Sequence, residues 1–184
     1  MKLLSLLAVA GLLAATGAHA QSTSFDLAIT VDDLPAHGSM PPGVTREQVA
    51  TDYLAALKAH NVPQAYGFVN AARLLDDTSI FDVLQMWRDA GYPLGNHGYS
   101  HMNINDGGLT AFEGDIEGNE DLLKDLMAGQ DWHYLRFPFR ATGRDPTGTA
   151  GIMAYLQAPD SRISEVTISF HDCAHNNTSH RYSD

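Results

Sequence analysis

Apolar and polar positions along the 184 residues change period repeatedly, and each change marks an element. Residues 25–31, Phe-Asp-Leu-Ala-Ile-Thr-Val, form a short apolar run that ends at Asp32-Asp33 and a Gly/Pro-rich loop to Gly43. A run of this length backed by turn signals predicts a buried strand with two carboxylates at its C-terminal end. From Thr45 the period becomes helical. Thr45 and Gln48 have capping-box spacing, and Val49, Tyr53, Leu54 and Leu57 form an apolar stripe that stops near His60-Asn61, before Pro63. Residues 65–69 predict a second strand. Residues 79–90 repeat the helical period with Ile80, Val83, Leu84 and Trp87 inward and Gly91 in the C-terminal cap position. Residues 92–96 predict a brief third strand. A capping box at Thr110 and Glu113 predicts a helix carrying Phe112, Ile116, Leu123 and Leu126 and ending by Gly129. Residues 132–137 predict a fourth strand, 147–156 a helix, and 163–170 alternate as a fifth strand.

Strand and helix alternate throughout, which predicts an α/β fold with a parallel sheet, because parallel neighbours need a crossover and a helix is the usual one. Right-handed crossovers place every C-terminal strand end on one face. Three chemically rich stretches therefore converge on one rim: Asp32-Asp33 after the first strand, His97 to His101 after the third, and Arg136 to Phe139 after the fourth. In α/β barrels and open α/β sheets alike, that rim carries the chemistry.

Length and composition narrow the picture. At 184 residues one domain with a real core is expected. A formal net charge of −11 with no basic run argues against a nucleic-acid partner. Lys2, an apolar segment over residues 3–15 and the small-x-small site Ala18-His19-Ala20 read as a cleavable export signal, cut after Ala20. The apolar run breaks at Thr16-Gly17, too early for a membrane anchor, so no span is expected in the mature chain. The expected location is the periplasm or the exterior. Cys173 is the single cysteine, so neither an internal disulfide nor a multi-cysteine zinc site is available, and any metal must use His and carboxylate.

The stretch Gly95-Asn96-His97-Gly98-Tyr99-Ser100-His101 holds two imidazoles four positions apart, a separation that places both on one side of a helical turn. One carboxylate with two imidazoles makes the open three-ligand arrangement of a catalytic divalent ion. Zn2+ stands first among the candidates, although such a donor set accepts several divalent ions. If the strand breaks at Asp32-Asp33, both carboxylates face the rim, one as ligand and the other as general base. Arg136, between apolar strand residues and Phe137-Pro138-Phe139, suits either orientation of a carboxylate or a structural ion pair. Pro138 stiffens a turn from which the Phe139 backbone N–H would face a developing oxyanion.

Thr30-Val31-Asp32-Asp33, His97-Gly98-Tyr99-Ser100-His101 and Arg136-Phe137-Pro138-Phe139 resemble, in order and spacing, the first three motifs of the NodB-homology polysaccharide deacetylases, carbohydrate esterase family 4. The resemblance covers residues 25–170. It implies a distorted, incomplete (β/α) barrel with fewer than eight strands, and metal-dependent removal of N-acetyl, or in some members O-acetyl, groups from an acetylated glycan. It also separates the two carboxylates: Asp32 becomes the base and Asp33, His97 and His101 the metal ligands. Arg136 then positions the base, and Phe139 supplies the oxyanion N–H. The expected organisation is an export signal over 1–20, a deacetylase domain over 21–170 and a polar tail over 171–184.

Some positions depart from the family pattern. Val31 stands where Phe is common and Phe139 where Tyr is common. The family continues with an acidic-aromatic fourth motif and a late Leu-x-His whose histidine protonates the leaving amine, whereas this sequence ends at Asp184. Asp172 is the nearest counterpart of the fourth motif, and His171, His175 and His180 are the available replacement acids. A C-terminally truncated barrel is therefore expected, with an exposed sheet edge. Two other functions compete with the hydrolase: a non-catalytic metal- and glycan-binding remnant, and a phosphoesterase, for which the chain offers no Lys/Arg cluster to hold a phosphate.

Overall fold

The computed structural model describes residues 26–35, 38–158 and 160–170. The expected export signal and the polar tail with its three histidines lie outside the described residues. Five strands, β1 (Ile29–Leu34), β2 (Ala65–Val69), β3 (Leu94–Asn96), β4 (Tyr134–Leu135) and β5 (Arg162–Ile163), form one sheet in sequence order. Every neighbouring pair is parallel. Between them run α1 (Arg46–Ala59), α2 (Arg73–Asp76), α3 (Phe81–Asp89), α4 (Ile104–Gly107), α5 (Leu109–Glu117), α6 (Glu120–Met127) and α7 (Pro146–Gln157). β1 and β5 pair on one side only among the described residues, so the barrel is incomplete and unclosed.

The core follows from strand alternation. One face of the sheet gives Ala65, Val69 and Leu94 to a cluster with Leu57, Leu84, Trp87, Leu123 and Met127 from α1, α3 and α6. A second cluster joins Leu135 and Phe137 to Ile104, Phe112, Ile116, Ile152 and Leu156. In it the rings of Phe112 and Phe137 lie parallel within 5°, centroids 5.7 Å apart. On the opposite, inner face of the sheet Tyr66 stacks on Phe68 of β2 and packs at a tilt against Tyr134 of β4. Gly95 is required there: a Cβ would lie 2.7 Å from the Tyr134 carbonyl oxygen and 2.9 Å from the Phe68 ring. No helix among the described residues is long and apolar enough to cross a membrane.

Several elements differ from the sequence expectation. In α1 the Thr45 hydroxyl caps the Gln48 N–H at 3.1 Å, but the Gln48 side chain bonds Asp52 instead of returning to the cap. Val49 and Tyr53 are exposed, and the helix buries Ala50 and Leu57 instead. The helix expected from Thr110 is two helices. α5 starts at Leu109 behind Gly108 without a side-chain cap, and the break falls at Gly118-Asn119. Tyr99 packs on Gly118, and the Asn119 amide turns into the sheet to bond the Val69 carbonyl at 2.6 Å. α2 and α4, one turn each, were not legible in the periodicity.

The expected fifth strand over 163–170 is found only as Arg162–Ile163, which overlaps the expected range at Ile163 alone. β4 is itself only two residues long before Pro138, which lacks an N–H, so β5 finds few partners. The Ser164 N–H still bonds the Leu135 carbonyl at 2.8 Å. Beyond it Ile168 and Phe170 are exposed, and alternation without a neighbouring surface does not make a strand.

Candidate metal centre

Each predicted stretch leaves its strand at the same rim. β1 is irregular between Val31 and Leu34, and Asp33 has a left-handed φ of 62°. That break spoils the two-residue alternation, so the adjacent carboxylates both reach the rim and diverge there. Asp33 turns toward the imidazoles: its Oδ1 lies 3.7 Å from His97 Nε2 and 3.4 Å from His101 Nε2. One donor atom from each of Asp33, His97 and His101 fits within 4.8 Å of the others. Asp32 turns toward Arg136, whose Nη1 is 3.3 Å from Oδ1 and 3.4 Å from Oδ2.

The histidines are not on a helix. Residues 97–101 form a bend with left-handed Gly98 (φ 73°) and His101 (φ 61°), and this bend, not a helical turn, brings the rings to 4.9 Å between centroids. His97 continues directly from β3 and is buried. Its Nδ1 sits 2.7 Å from the Arg136 carbonyl oxygen. A carbonyl only accepts, so Nδ1 carries the hydrogen and Nε2 keeps a lone pair aimed at the Asp33 carboxylate. Burial pushes the His97 pKa down to about 4, against the opposing pull of the Arg136 carbonyl and Asp33. The ring is therefore neutral near pH 7, the form that ligates metals. A neutral Nε2 and a carboxylate oxygen facing each other set lone pair against lone pair, an arrangement a cation between them satisfies. The donor set thus fits a divalent ion.

Arg136 begins where β4 ends, its N–H donating to the Asn96 carbonyl at 2.9 Å. Its guanidinium lies on the inner face of the sheet, over the Phe68 ring at 4.7 Å. Nε donates to the Ser164 carbonyl at 2.6 Å; Nη2 reaches Ser164 Oγ at 3.0 Å and Thr30 Oγ1 at 3.2 Å. The residue is buried, and burial draws its pKa down while Asp32 opposes that shift. A guanidinium stays charged under such conditions, so Asp32 faces a fixed cation. Phe139 lies in the 3-10 turn Pro138–Arg140 with φ 56° and an exposed ring, 4.5 Å from the His101 ring.

Sequence reasoning missed the groups that hold these residues. The buried Asn70 amide donates to the carbonyls of His97 (2.6 Å) and Gly98 (2.7 Å). Asn119 bridges the Ala71 N–H, the Val69 carbonyl and the Asn96 side chain. Asn96 in turn bonds the Ile116 carbonyl and the Gly98 N–H. Such residues carry no periodic signature. The one available clue was polarity at positions where the pattern calls for core.

Fold and site together define an α/β scaffold with a candidate three-ligand cation site at the C-terminal rim of its sheet. The chain belongs to the polysaccharide deacetylase family, whose sequence profile matches residues 19–154. Solved structures of similar fold include the peptidoglycan deacetylase PdaC from Bacillus subtilis, 18% identical with a TM-score of 0.58 over 81% of this chain and 62% of that one. Another is a family 4 carbohydrate esterase from Streptomyces lividans in complex with acetate, 18% identical with a TM-score of 0.55 over 76% and 61%. A third is a CE4 family pseudoenzyme from Bacillus anthracis, 17% identical with a TM-score of 0.56 over 74% and 41%. At such identities the likeness is one of fold. The chain spans about two-fifths to three-fifths of the length of these structures. No curated protein matches it.

Proposed function

We propose that the chain is a metal-dependent hydrolase that removes acetyl groups from an acetylated glycan. The observation that carries this is the division of labour between adjacent carboxylates: Asp33 converges with His97 and His101, while Asp32 is held by Arg136. Asp33, His97 and His101 would hold a divalent ion, Zn2+ foremost, which would supply Lewis acidity toward an acyl oxygen and lower the pKa of a water. Asp32, partly exposed at the rim, accepts a proton from the attacking water as general base, and the sugar nitrogen or oxygen takes its proton from bulk water as its bond to the acyl carbon breaks. Arg136 fixes the orientation of that carboxylate through its bonds to Ser164 and Thr30. The Phe139 N–H donates to the oxyanion as it forms. The domain so proposed runs over residues 21–170, and its action outside the cytoplasm rests on the export signal read in residues 1–20.

Acetate release from an N-acetylated chito-oligosaccharide by the Zn2+-loaded chain tests this. The parent is expected to release acetate, and Asp32→Asn to lose at least about 100-fold in rate, the scale of a general base. Equal rates overturn the role of Asp32. Bound metal without acetate from any acetylated glycan replaces the hydrolase with a binding protein.

A further inference from the structure

The bend that presents the second imidazole is held by a residue outside every motif. His101 lies in the left-handed region three residues after Gly98, also left-handed. For a residue with a Cβ that conformation is strained, and it persists where the surroundings over-determine it. Asp115 provides those surroundings from α5. Its Oδ1 accepts the Ser100 N–H at 2.9 Å and the Ser100 hydroxyl at 2.6 Å; its Oδ2 accepts the Met102 N–H, more loosely, at 3.5 Å. Its backbone carbonyl takes the Tyr99 N–H at 2.7 Å. One residue thus receives N–H groups from both sides of His101.

Two further observations single Asp115 out. It is 7% exposed on the apolar face of α5, between Phe112 and Ile116, where helical packing calls for a hydrophobic side chain. A buried carboxylate is retained there only with its oxygens satisfied. Gly98 is also matched to it, since a Cβ at that position would lie 2.5 Å from Asp115 Oδ2. Resting on the metal-dependent reading above, we propose that Asp115 is a positioning residue for the cation site. It sets the backbone at His101 so that Nε2 converges with Asp33 and His97 before any ion arrives.

The test is Zn2+ affinity of the full chain by chelator competition, with the Co2+ absorption spectrum as a report on ligand geometry, for the parent, Asp115→Ala and Ser100→Ala. Exposed Asp121→Asn on α6 is the control. Circular dichroism at the same temperature establishes that each variant is folded, so a purely structural loss shows as a lower Tm with unchanged affinity. Asp115→Ala is expected to bind Zn2+ about 10–100-fold more weakly with an altered Co2+ spectrum, and Ser100→Ala about tenfold more weakly, while Asp121→Asn matches the parent. If Asp115→Ala does not fold, Ser100→Ala decides alone. Parent-like affinity in the folded variants overturns the role of Asp115 and leaves the metal reading intact. A parent that binds no ion overturns both.

Discussion

The bend at residues 97–101 and the sheet edge at residues 162–170 both border the same site, yet they are built differently. The bend is locked by buried side chains, Asn70, Asn96, Asn119 and Asp115, each with named partners. The edge is a two-residue strand followed by Ile168 and Phe170, which are 70% and 88% exposed. Arg136 joins the two. Its backbone carbonyl fixes the His97 ring, and its guanidinium reaches Ser164 just past β5. The ligand half of the site therefore inherits the rigidity of the core, whereas the Asp32–Arg136 half leans partly on the least buried strand. Burial, not proximity to the rim, separates what is pre-set from what is loosely tethered.

Stability sharpens the contrast most strongly. Phe112 is fully buried against Phe137 behind the bend, so Phe112→Ala is expected to cost about 3–5 kcal/mol in chemical denaturation. Phe170→Ala at the edge is expected to change stability by no more than about 0.5 kcal/mol. Similar costs at the two positions would erase the distinction.

A smaller effect is expected from pH in metal-free protein. Unfolded, His97 takes up a proton near its ordinary value of 6.5, whereas folded it holds out until about 4. Between those values the unfolded chain binds more protons, so stability falls as pH drops through the window and is unaffected by this group above it. The loss should be on the order of 1–3 kcal/mol. Denaturant melts at pH 4 and pH 7 with His97→Gln as comparison measure it, and an identical pH dependence in both proteins would place the titration elsewhere.

The same division decides what the sequence could reveal. Apolar runs read locally announced β2, α3 and α7, and β1 in place though not in bounds, since Ile29–Leu34 contains the two aspartates expected to follow the strand; the alternation of period announced the parallel sheet with its shared rim. The six candidate site residues were named from three short stretches, because ligand and base chemistry restricts residue types. Why those residues meet was less legible. The left-handed turns at Asp33 and His101 depend on long-range partners, and the spacing of four suggested a helical turn that the fold does not use. Asn119 breaks a continuous helical pattern because its amide belongs to the sheet, a contact 50 residues distant from Val69. At the edge, the alternation at 163–170 promised a strand, yet the shortness of β4 withheld its partner.

Joint coordination by Asp33, His97 and His101 is the claim on which the functional account turns. Isothermal titration of the metal-free chain with Zn2+, beside His97→Ala, tests it most directly. One ion per parent chain is expected, with an affinity loss exceeding about 100-fold in the folded variant, beyond what removal of a supporting residue causes. A parent that takes up no ion, or a His97→Ala variant that binds as tightly as the parent, would contradict it.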